Sequence, residues 1–475
     1  MSATGDVLSL SLISHTNVGK TSLARTLLRR DVGEILDQAH VTRSEERFVM
    51  LEGSGDDAGR IVLWDTPGFG DSSHLFSLLQ EQQEPLAWLE AQDFDPDTQA
   101  ALYSSRAAAL NVMREADVIL YLVNASEDPA MAGYVEPEMR ILGWIAKPVI
   151  VLLNQSGSPT DADERRRDEE RWRWHLASFA SVHDVISLDA FSRCWVQEGL
   201  LLLRLEALVS EEHRSKMTHL LELWCRDNLR ILSEAAGELA ASLWGSACDR
   251  EPVGDAVLSR IARKRAADQL TRRLDARTRT ALDRLIALYG LEGEAAGWAR
   301  GAFADVNVPG DKPDPRKVSI LGGMAGGALG GLVADIAHGG LTFGGGTVAG
   351  AILGGLGLGG LAWAYEQLST KAGEPVVAWS PAFLERVIRD GLLRYLAIAH
   401  FGRGAGSFRD RVTPAAWAPR VEAILEREGR AFTRILKGAQ PGAKDAQPAA
   451  LAKQYEDVLK RILEELYPGS ERLLR

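Results

Sequence analysis

The sequence predicts an α/β domain with a mostly parallel sheet and helices on both faces, followed by a mainly α-helical C-terminal half that contains a glycine-rich helical hairpin. Three observations support this fold class. Short apolar runs alternate with helical patterns over roughly the first 210 residues, which is the βαβ order of a parallel sheet. Leucines and alanines then recur at three- and four-residue spacings after Ser210. Glycines repeat at four-residue spacing between Val318 and Tyr365.

The first apolar run, Val7 to Ile13, predicts a buried strand, and the residues after it predict a phosphate-binding loop leading into a helix. Backbone N–H groups in such a loop bind phosphate oxygens, a lysine reaches the β- and γ-phosphates, and a hydroxyl ligates Mg²⁺. Ser14 stands where the usual loop begins with glycine, so we expect the backbone to turn there without a glycine's freedom. The sequence therefore predicts a nucleoside-triphosphate site formed by Ser14, His15, Thr16, Asn17, Val18, Gly19, Lys20, Thr21 and Ser22.

A second predicted strand, Arg60 to Trp64, ends in Asp65-Thr66-Pro67-Gly68. A carboxylate at the carboxyl end of a strand beside the phosphate loop lies where Mg²⁺ is bound, and the N–H of Gly68 would lie close to the γ-phosphate. Thr42, in the polar stretch before this strand, would close over the metal when the γ-phosphate is present. Two more apolar runs complete the predicted sheet, Val118 to Val123 and Val149 to Leu153.

These motifs resemble those of the translation-factor-related GTPases of the Era/TrmE type, over roughly residues 1 to 210. The resemblance implies a P-loop G domain that binds GTP, uses Mg²⁺ as cofactor and hydrolyses the nucleotide. It places Lys20 on the β- and γ-phosphates and makes Gly68 the sensor of the γ-phosphate. The Mg²⁺ ligands it implies are Thr21, Thr42 and Asp65, and the catalytic residues are Lys20, Thr42 and Gly68.

Two positions bear on how fast GTP would be hydrolysed. In relatives with asparagine at the position of Asn17, that side chain helps to hold a potassium ion, so the resemblance implies a K⁺ ligand here and makes potassium activation a hypothesis. Phe69 occupies the position of the water-orienting glutamine of Ras-like enzymes, and phenylalanine cannot position water. We therefore expect slow intrinsic hydrolysis, accelerated by K⁺, by dimerisation or by a partner that contributes charge. Arg43 is the nearest cationic candidate, with a solvated arginine as the alternative.

Base recognition departs from the family pattern. Family members read guanine with Asn-Lys-x-Asp, whereas this chain has Asn154-Gln155-Ser156-Gly157 and lacks both charged readers. Their absence would lower the preference for guanine by about tenfold or more. The resemblance still makes GTP the expected nucleotide. Because the charged readers are missing, an ATP-using or non-selective NTPase is the alternative. The remaining base-contacting candidates are Asn154, Gln155 and the backbone of Ala190, and Asp161 or Asp163 are candidates to replace the missing aspartate.

The glycine-rich tract predicts a hairpin that suits either lipid or tight protein packing. Its segments Val318 to His338 and Thr347 to Tyr365 each approach the length of about 20 residues that spans a hydrocarbon core. Asp335 would oppose insertion at mid-depth by about 2.5–3.5 kcal/mol. Membrane contact through residues 318–366 and a soluble hairpin inside a helical domain are both open alternatives.

A basic stripe lies in the helical region after residue 210. Such a stripe is typical of contacts with anionic lipid or RNA, and also of a solvated helix face. It makes a ribosome- or RNA-associated assembly factor the alternative function. Its members are Arg260, Arg263, Lys264, Arg265, Arg272, Arg273, Arg277, Arg279 and Arg284.

Composition limits the number of cores, the kinds of partner and the compartment. At 475 residues, 46% of them apolar, the chain can bury two or three cores. Its net charge of −11 argues against bulk coating of nucleic acid, and its three cysteines, without metal or redox spacing, indicate a reducing compartment. No positively charged leader precedes an apolar run. We expect a cytoplasmic protein, with a peripheral or hairpin-inserted location at the inner membrane as the alternative.

The whole arrangement resembles a group of bacterial GTPase-domain proteins whose C-terminal half is a domain of unknown function. We expect a nucleotide switch whose helical half signals the nucleotide state to a membrane or to an unidentified protein effector. The predicted boundaries are a GTPase domain at 1–210, a helical domain with the basic stripe at 211–305, a Pro/Gly linker at 306–317, the hairpin at 318–366 and a C-terminal helical region at 367–475.

Overall fold

A computed structural model of the chain describes residues 6–16, 18–29, 46–53, 59–156, 162–252, 260–291, 365–369, 375–401, 414, 416–439 and 448–475. The predicted linker and all but the last two residues of the predicted hairpin lie outside the described residues, as do Asn17, Thr42, Arg43 and Asp161. The chain divides into two compact units. The first comprises residues 1–229, 400–406 and 466–475, and the second comprises residues 230–399 and 407–465.

The first unit is built on a six-stranded sheet with the strand order β2-β3-β1-β4-β5-β6. Neighbouring strands are parallel except β2 and β3, so the predicted mostly parallel sheet is confirmed. Both faces of the central strands are buried, which is why these segments are continuous apolar runs. The strands are β1 (Asp6–Ser14), β2 (Glu46–Glu52), β3 (Arg60–Asp65), β4 (Val118–Asn124), β5 (Val149–Asn154) and β6 (Val182–Ser187).

Among the described residues, seven helices connect or cover these strands. The core on one side of the sheet joins Phe69 and Leu75 to Tyr121 and Met139, all of them fully buried. A short 3₁₀ turn covers Pro129–Met131. The helices are α1 (Lys20–Leu28), α2 (Ser72–Gln80), α3 (Pro85–Ala91), α4 (Ala100–Glu115), α5 (Val135–Ile145), α6 (Ala162–His175) and α7 (Trp195–Glu206).

The last ten residues of the chain pack within the first unit. Leu473 and Leu474 are buried there, and Arg472 donates two hydrogen bonds to Glu206 in α7, at 2.5 and 3.0 Å. A side chain at Gly199 would meet Leu473 at 2.6 Å, so this helix and the chain end approach closely. The predicted region 367–475 is therefore divided between the two units.

Helices dominate the C-terminal half, as predicted. Helix α8 begins in the first unit and continues without a break into the residues of the second. The helices are α8 (Glu211–Cys248), α9 (Arg260–Leu288), α10 (Pro381–Ala399), α11 (Trp417–Glu428), α12 (Arg430–Leu436) and α13 (Pro448–Leu466).

A small antiparallel sheet interrupts this helical half, in the order β7-β9-β8. The helical prediction was wrong for these segments, namely for Tyr365 at the end of the hairpin and for the residues that follow Lys371. The reason is visible in β9, where two valines and a buried tryptophan form an apolar run of high β propensity. The strands are β7 (Glu251–Pro252), β8 (Tyr365–Ser369) and β9 (Pro375–Trp379).

Much of the predicted basic stripe is paired within the second unit. Arg273 bonds to Glu251 at 2.6 Å, and Arg277 bonds to Asp249, with its second contact at 3.0 Å. Arg284 pairs with Glu238 at 2.8 Å. These ion pairs favour a structural role for this helix face over a free phosphate-binding surface.

Across the part of the chain that the structure describes, no helix combines the length and apolar character needed to cross a bilayer. This finding does not extend to residues 318–364 of the predicted hairpin, which lie outside the described residues.

Candidate functional site

The sheet brings the predicted phosphate and metal residues to one edge. Strand β1 lies between β3 and β4 and is parallel to both, so the carboxyl ends of these strands meet. Leu12 in β1 pairs with Asp65 at the end of β3. The loop after β1 then leads directly into α1, whose N-terminus faces the same edge. This is the edge at which parallel α/β sheets bind their ligands.

The phosphate-binding loop is shaped by one glycine and by contacts with neighbouring segments. Gly19 adopts φ +88° at the N-cap of α1, a conformation that favours glycine. A Cβ there would lie 2.8 Å from Nδ2 of Asn154, so the close approach of the two segments also requires glycine. The N–H of Thr16 donates to the carbonyl of Phe69 at 3.2 Å. Ser22 is buried in α1.

Ser14 needs no glycine-like conformation. It is the last residue of β1 and is buried, and its hydroxyl donates to the carbonyl of His15 at 2.6 Å. The non-glycine residues with positive φ in the described chain are Arg29, Ala146 and Gln155. The missing first glycine of the loop is thus tolerated because the strand simply extends through this position.

Asp65 and Thr21 form the polar pair that suits Mg²⁺. Oγ1 of Thr21 donates to Oδ2 of Asp65 at 3.0 Å. The carboxyl group is buried, and its Oδ1 has no hydrogen-bond partner among the described residues. A buried oxygen without a partner is unfavourable unless a cation or donor completes its shell. Because Mg²⁺ is usually held by one or two carboxylates together with phosphate oxygens, Thr21 and Asp65 would hold it here.

Lys20 lies in the same buried cluster. Burial lowers the pKa of its ammonium group, and the carboxylates of Asp65 and Glu138 oppose that shift. Burial likewise raises the pKa of Asp65, against the charge of Lys20 and the hydrogen bond from Thr21. A lysine and a carboxylate are therefore held together at the helix N-terminus, where phosphate charge is favourable.

The segment after Asp65 is held against the phosphate loop. The Phe69 N–H donates to the carbonyl of Ser14 at 2.9 Å, and the Gly68 carbonyl accepts from Ser104 at 2.6 Å. A Cβ at Gly68 would lie 3.2 Å from the carbonyl oxygen of Ser14, so glycine permits this approach. The Phe69 side chain is fully buried in the core. It therefore supplies no group to the nucleotide side of the loop.

On the other side of the loop, Asn154 connects the predicted base-binding segments. Its side chain is fully buried, donates to the carbonyl of Val18 at 2.7 Å and accepts from the N–H of Ala190 at 2.9 Å. The Ala190 N–H, predicted to be a base donor, is thus engaged by Asn154. Gln155 has φ +58° and its carbonyl accepts from Ser126 at 2.7 Å.

A carboxylate that sequence reasoning missed lies beside these segments. Asp189 accepts hydrogen bonds from both the N–H and the hydroxyl of Ser156, each at 2.6 Å, and from the N–H of Phe191 at 2.7 Å. It is buried, and its hydrogen bonds connect the Asn154-Gln155-Ser156 segment to the loop after β6. The candidate Asp163 instead lies in the first turn of α6.

A second missed feature is a buried polar network behind the phosphate loop. Glu138 in α5 is fully buried and accepts from Tyr121 at 2.6 Å. It also contacts Nδ1 of His15 at 2.8 Å and is hydrogen-bonded by Ser72. The His15 ring stacks on Tyr134 with a centroid separation of 4.5 Å. No motif marks Glu138, because its partners are brought together only by the fold.

A third missed feature lies at the opposite end of α1. Arg29, which caps this helix with φ +52°, donates to Glu198 at 3.1 Å and to Asn228 at 2.7 Å. Glu198 is buried and also pairs with Arg193, which in turn donates to the carbonyl of Thr26 at 3.1 Å. These contacts join the end of α1 to α7 and α8. We refer to Arg29, Arg193, Glu198 and Asn228 as the α1-end cluster.

Comparison with known families assigns both halves of the chain. A model of the family described as 50S ribosome-binding GTPase matches residues 9–155, and a model described as domain of unknown function (DUF3482) matches residues 176–461. The first match covers the phosphate loop, the Asp65 segment and Asn154. Residues 9–155 are thus a P-loop GTPase domain, as the motifs predicted.

Individual relatives agree with this assignment over the N-terminal part. GTPase Der of Nautilia profundicola is 28% identical over 153 residues, which are 31% of this chain and 26% of that protein. GTPase Era of Staphylococcus epidermidis is 26% identical over 146 residues, 31% of this chain and 38% of that protein. The chain therefore spans less than half the length of these curated relatives.

Solved structures that match the chain include Era in complex with MgGDPNP and a segment of 16S ribosomal RNA. It is 20% identical, with a TM-score of 0.30, and the match covers 44% of this chain and 58% of that one. An Aquifex aeolicus Era variant bound to GDP·AlF4⁻ is 19% identical, with a TM-score of 0.30 and coverages of 49% and 68%. Because the match to DUF3482 covers more than half of the sequence, the chain belongs to the DUF3482 family, and it carries an Era-type GTPase domain ahead of the matched region.

Proposed function

We propose that this protein is a GTP-binding switch that hydrolyses GTP slowly with Mg²⁺. The observation that carries the proposal is the assembly of Lys20, Thr21 and Asp65 at the N-terminus of α1, where one buried Asp65 oxygen has no partner among the described residues. A helix N-terminus, a lysine and an oxygen pair suited to Mg²⁺ together complement the β- and γ-phosphates.

The catalytic roles proposed from the resemblance fit this arrangement. Lys20 would stabilise negative charge on the phosphates, and the Gly68 N–H would bond to the γ-phosphate. Thr42 would complete the Mg²⁺ ligands, and it lies outside the described residues. The burial of Phe69 supports slow intrinsic hydrolysis, because no side chain at that position reaches the nucleotide side of the loop.

Potassium activation through Asn17 is part of the same proposal. It is tested by single-turnover GTP hydrolysis with Mg²⁺ in potassium and in sodium buffers, using the wild type and Asn17→Ala. Faster turnover in potassium, abolished by the substitution, supports it. Equal rates in both buffers would place the activating charge elsewhere, on a dimer partner or on another protein.

GTP is the proposed nucleotide, with ATP or mixed use as the alternative. Asn154 supports a base-binding role for its region, since it joins the phosphate loop to the loop at Ala190. The alternative stays because Gln155 replaces the lysine of the base-reading motif and Gly157 replaces its aspartate. The direct test is equilibrium binding of GTP and of ATP to the full chain with Mg²⁺.

We further propose that nucleotide state is transmitted along α1 to α8. Helix α1 begins at Lys20, and the α1-end cluster ties its other end to Asn228 in α8. Hydrogen bonds involving buried charges have defined geometry, so a shift of α1 would be passed on to its partners instead of being absorbed by solvent. Because α8 runs unbroken from Glu211 to Cys248, it is the proposed output element.

The receiver of this output is proposed to be a membrane, through residues 318–366, or a protein effector. An RNA-bound assembly factor is the second candidate, because the first family model is described as ribosome-binding and one structural neighbour holds RNA. The pairing of Arg273, Arg277 and Arg284 with acidic side chains argues against the basic stripe as the RNA contact.

Hydrogen exchange of the full chain tests the transmission. Amide protection in α8 should differ between the GDP state and a state with a non-hydrolysable GTP analogue. Asn228→Ala, which removes the α8 partner of Arg29, should reduce that difference. Asn111→Ala is the matched control, because Asn111 is equally buried but bonds to Ser11 in β1. Identical protection of α8 in both nucleotide states would contradict the proposal.

A further inference from the structure

Glu138 is a buried carboxylate that joins three separate elements around the nucleotide site. It contacts His15 in the phosphate loop at 2.8 Å and accepts from Tyr121 in β4 at 2.6 Å. Its third partner, Ser72, is the first residue of α2 and follows Gly68 by four positions. The carboxylate thus bonds to both segments that flank the proposed γ-phosphate position.

Glu138 lies behind the more exposed side chain of His15. Its side chain is fully buried, whereas the His15 ring in front of it is 30% exposed. Burial raises the pKa of the Glu138 carboxyl, and the bonds from His15, Tyr121 and Ser72 oppose that shift. His15, Tyr121 and Ser72 all contact the same carboxyl group. Glu138 therefore acts on the site only through the groups it holds.

His15 is held from two sides. Its Nδ1 is fixed by Glu138, and its ring stacks on Tyr134 at 4.5 Å. Tyr134 in turn donates to Glu127 at 2.9 Å. The orientation of a phosphate-loop residue is therefore set by α5 and the turn before it.

The segment after Gly68 is fixed by a separate set of bonds that ends at Glu138. Gly70 and Asp71 both donate to the Ser105 hydroxyl at 3.0 Å, and Ser72 follows them. These backbone contacts define the path from Gly68 to α2. A change at Ser72 would therefore shift the position of Gly68 on the γ-phosphate side of the site. Bonds to one buried carboxyl group give the two segments a common anchor.

We propose that Glu138 is a positioning residue that couples the phosphate loop to the γ-phosphate-sensing segment and so sets the preference for triphosphate over diphosphate. This inference rests on the proposed GTP switch. It predicts that loss of the carboxylate affects the triphosphate complex more than the diphosphate complex, because the diphosphate makes no use of the Gly68 segment.

The test measures the affinities of the full chain for GDP and for a non-hydrolysable GTP analogue with Mg²⁺, and compares their ratio between variants. Glu138→Gln keeps the shape of the side chain and replaces one acceptor oxygen with an NH2 donor. Leaving one of its buried partners unsatisfied should lower the ratio on the order of tenfold. Ser72→Ala should lower the ratio in the same direction, and it decides the question alone if Glu138→Gln does not fold.

Tyr121→Phe is the matched control. It removes a bond to the same carboxylate from β4, which flanks no phosphate, so it should lower thermal stability and leave the affinity ratio within twofold. The inference is overturned if Glu138→Gln and Ser72→Ala weaken both nucleotides equally, or if Tyr121→Phe shifts the ratio as much. Failure of the wild type to bind either nucleotide would instead refute the proposed function, and the inference with it.

Discussion

Replacing Asn154 with Asp tests how the base-binding segments are assembled. The substitution keeps the size of the side chain and the acceptor for the Ala190 N–H. It removes the donor to the carbonyl of Val18 and puts a carboxylate oxygen where Nδ2 lay 2.7 Å from that carbonyl oxygen. The end of β5 and the phosphate loop would then repel each other at the point where they are now joined, while the contact with the loop after β6 is kept.

The expected magnitude follows from complete burial of this side chain. A buried carbonyl that loses its partner costs about 1–3 kcal/mol. If the joined arrangement is the one that binds nucleotide, that cost appears as a loss of affinity on the order of 10- to 100-fold. Repulsion between the two oxygens adds to the same effect.

Asn124 provides the control. It pairs in register with Asn154 at the end of the neighbouring strand, and its Oδ1 accepts from the Ser126 N–H at 3.0 Å, a bond that Asp can keep. Titration with labelled GTP and GDP should therefore show weak binding for Asn154→Asp and near-normal binding for Asn124→Asp. Unchanged affinity in the first variant, or equal losses in both, would refute the reasoning.

Three further predictions concern stability and the loop. Gly19→Ala should weaken nucleotide binding and destabilise the fold by about 1–2 kcal/mol, because φ is +88° and the added Cβ would meet Asn154. The control is Gly143→Ala, whose Cβ would enter open space and which should be neutral or stabilising in thermal unfolding. Glu198→Ala should lower the free energy of unfolding by about 3–5 kcal/mol, because it leaves Arg29 and Arg193 without their carboxylate. The control is Glu206→Ala, at a more exposed pair, which should lower it by at most about 1 kcal/mol. Burial raises the pKa of Asp390 to about 6, against the charges of Arg394, Arg389 and Arg386. The native state then binds this proton more tightly than the unfolded chain, so stability should fall by about 3 kcal/mol as the pH rises from about 4 to about 6. This fall should be missing from Asp390→Asn when the two proteins are unfolded side by side across that range.

The sequence predicted the parts of the fold that have strong local signals. Strands β1, β3, β4 and β5 are continuous apolar runs because both faces of the sheet are covered. Strand β2 was missed because it is an edge strand with Glu46, Arg47 and Glu52 at its exposed ends. Strands β8 and β9 were missed because helical patterns surround them on both sides.

The candidate site likewise contains residues that a local motif predicts and residues that no motif marks. Lys20, Thr21 and Asp65 occur at fixed positions after strands, so their clustering could be predicted from the motif alone. Glu138 and Glu198 lie in ordinary amphipathic helices, far along the chain from the loop residues they hold. Nothing in their local sequence separates them from solvated glutamates, and only the packing of α5 and α7 shows that they are buried.

The most direct test of the central claim is equilibrium binding of GTP and ATP to the full chain with Mg²⁺, in parallel with Lys20→Ala. The account predicts that GTP binds more tightly than ATP and that the substitution abolishes binding of both, because Lys20 is the buried cation at the N-terminus of α1. Equal binding of GTP and ATP would contradict the choice of guanine. Full binding by Lys20→Ala, or none by the wild type, would contradict the nucleotide site itself.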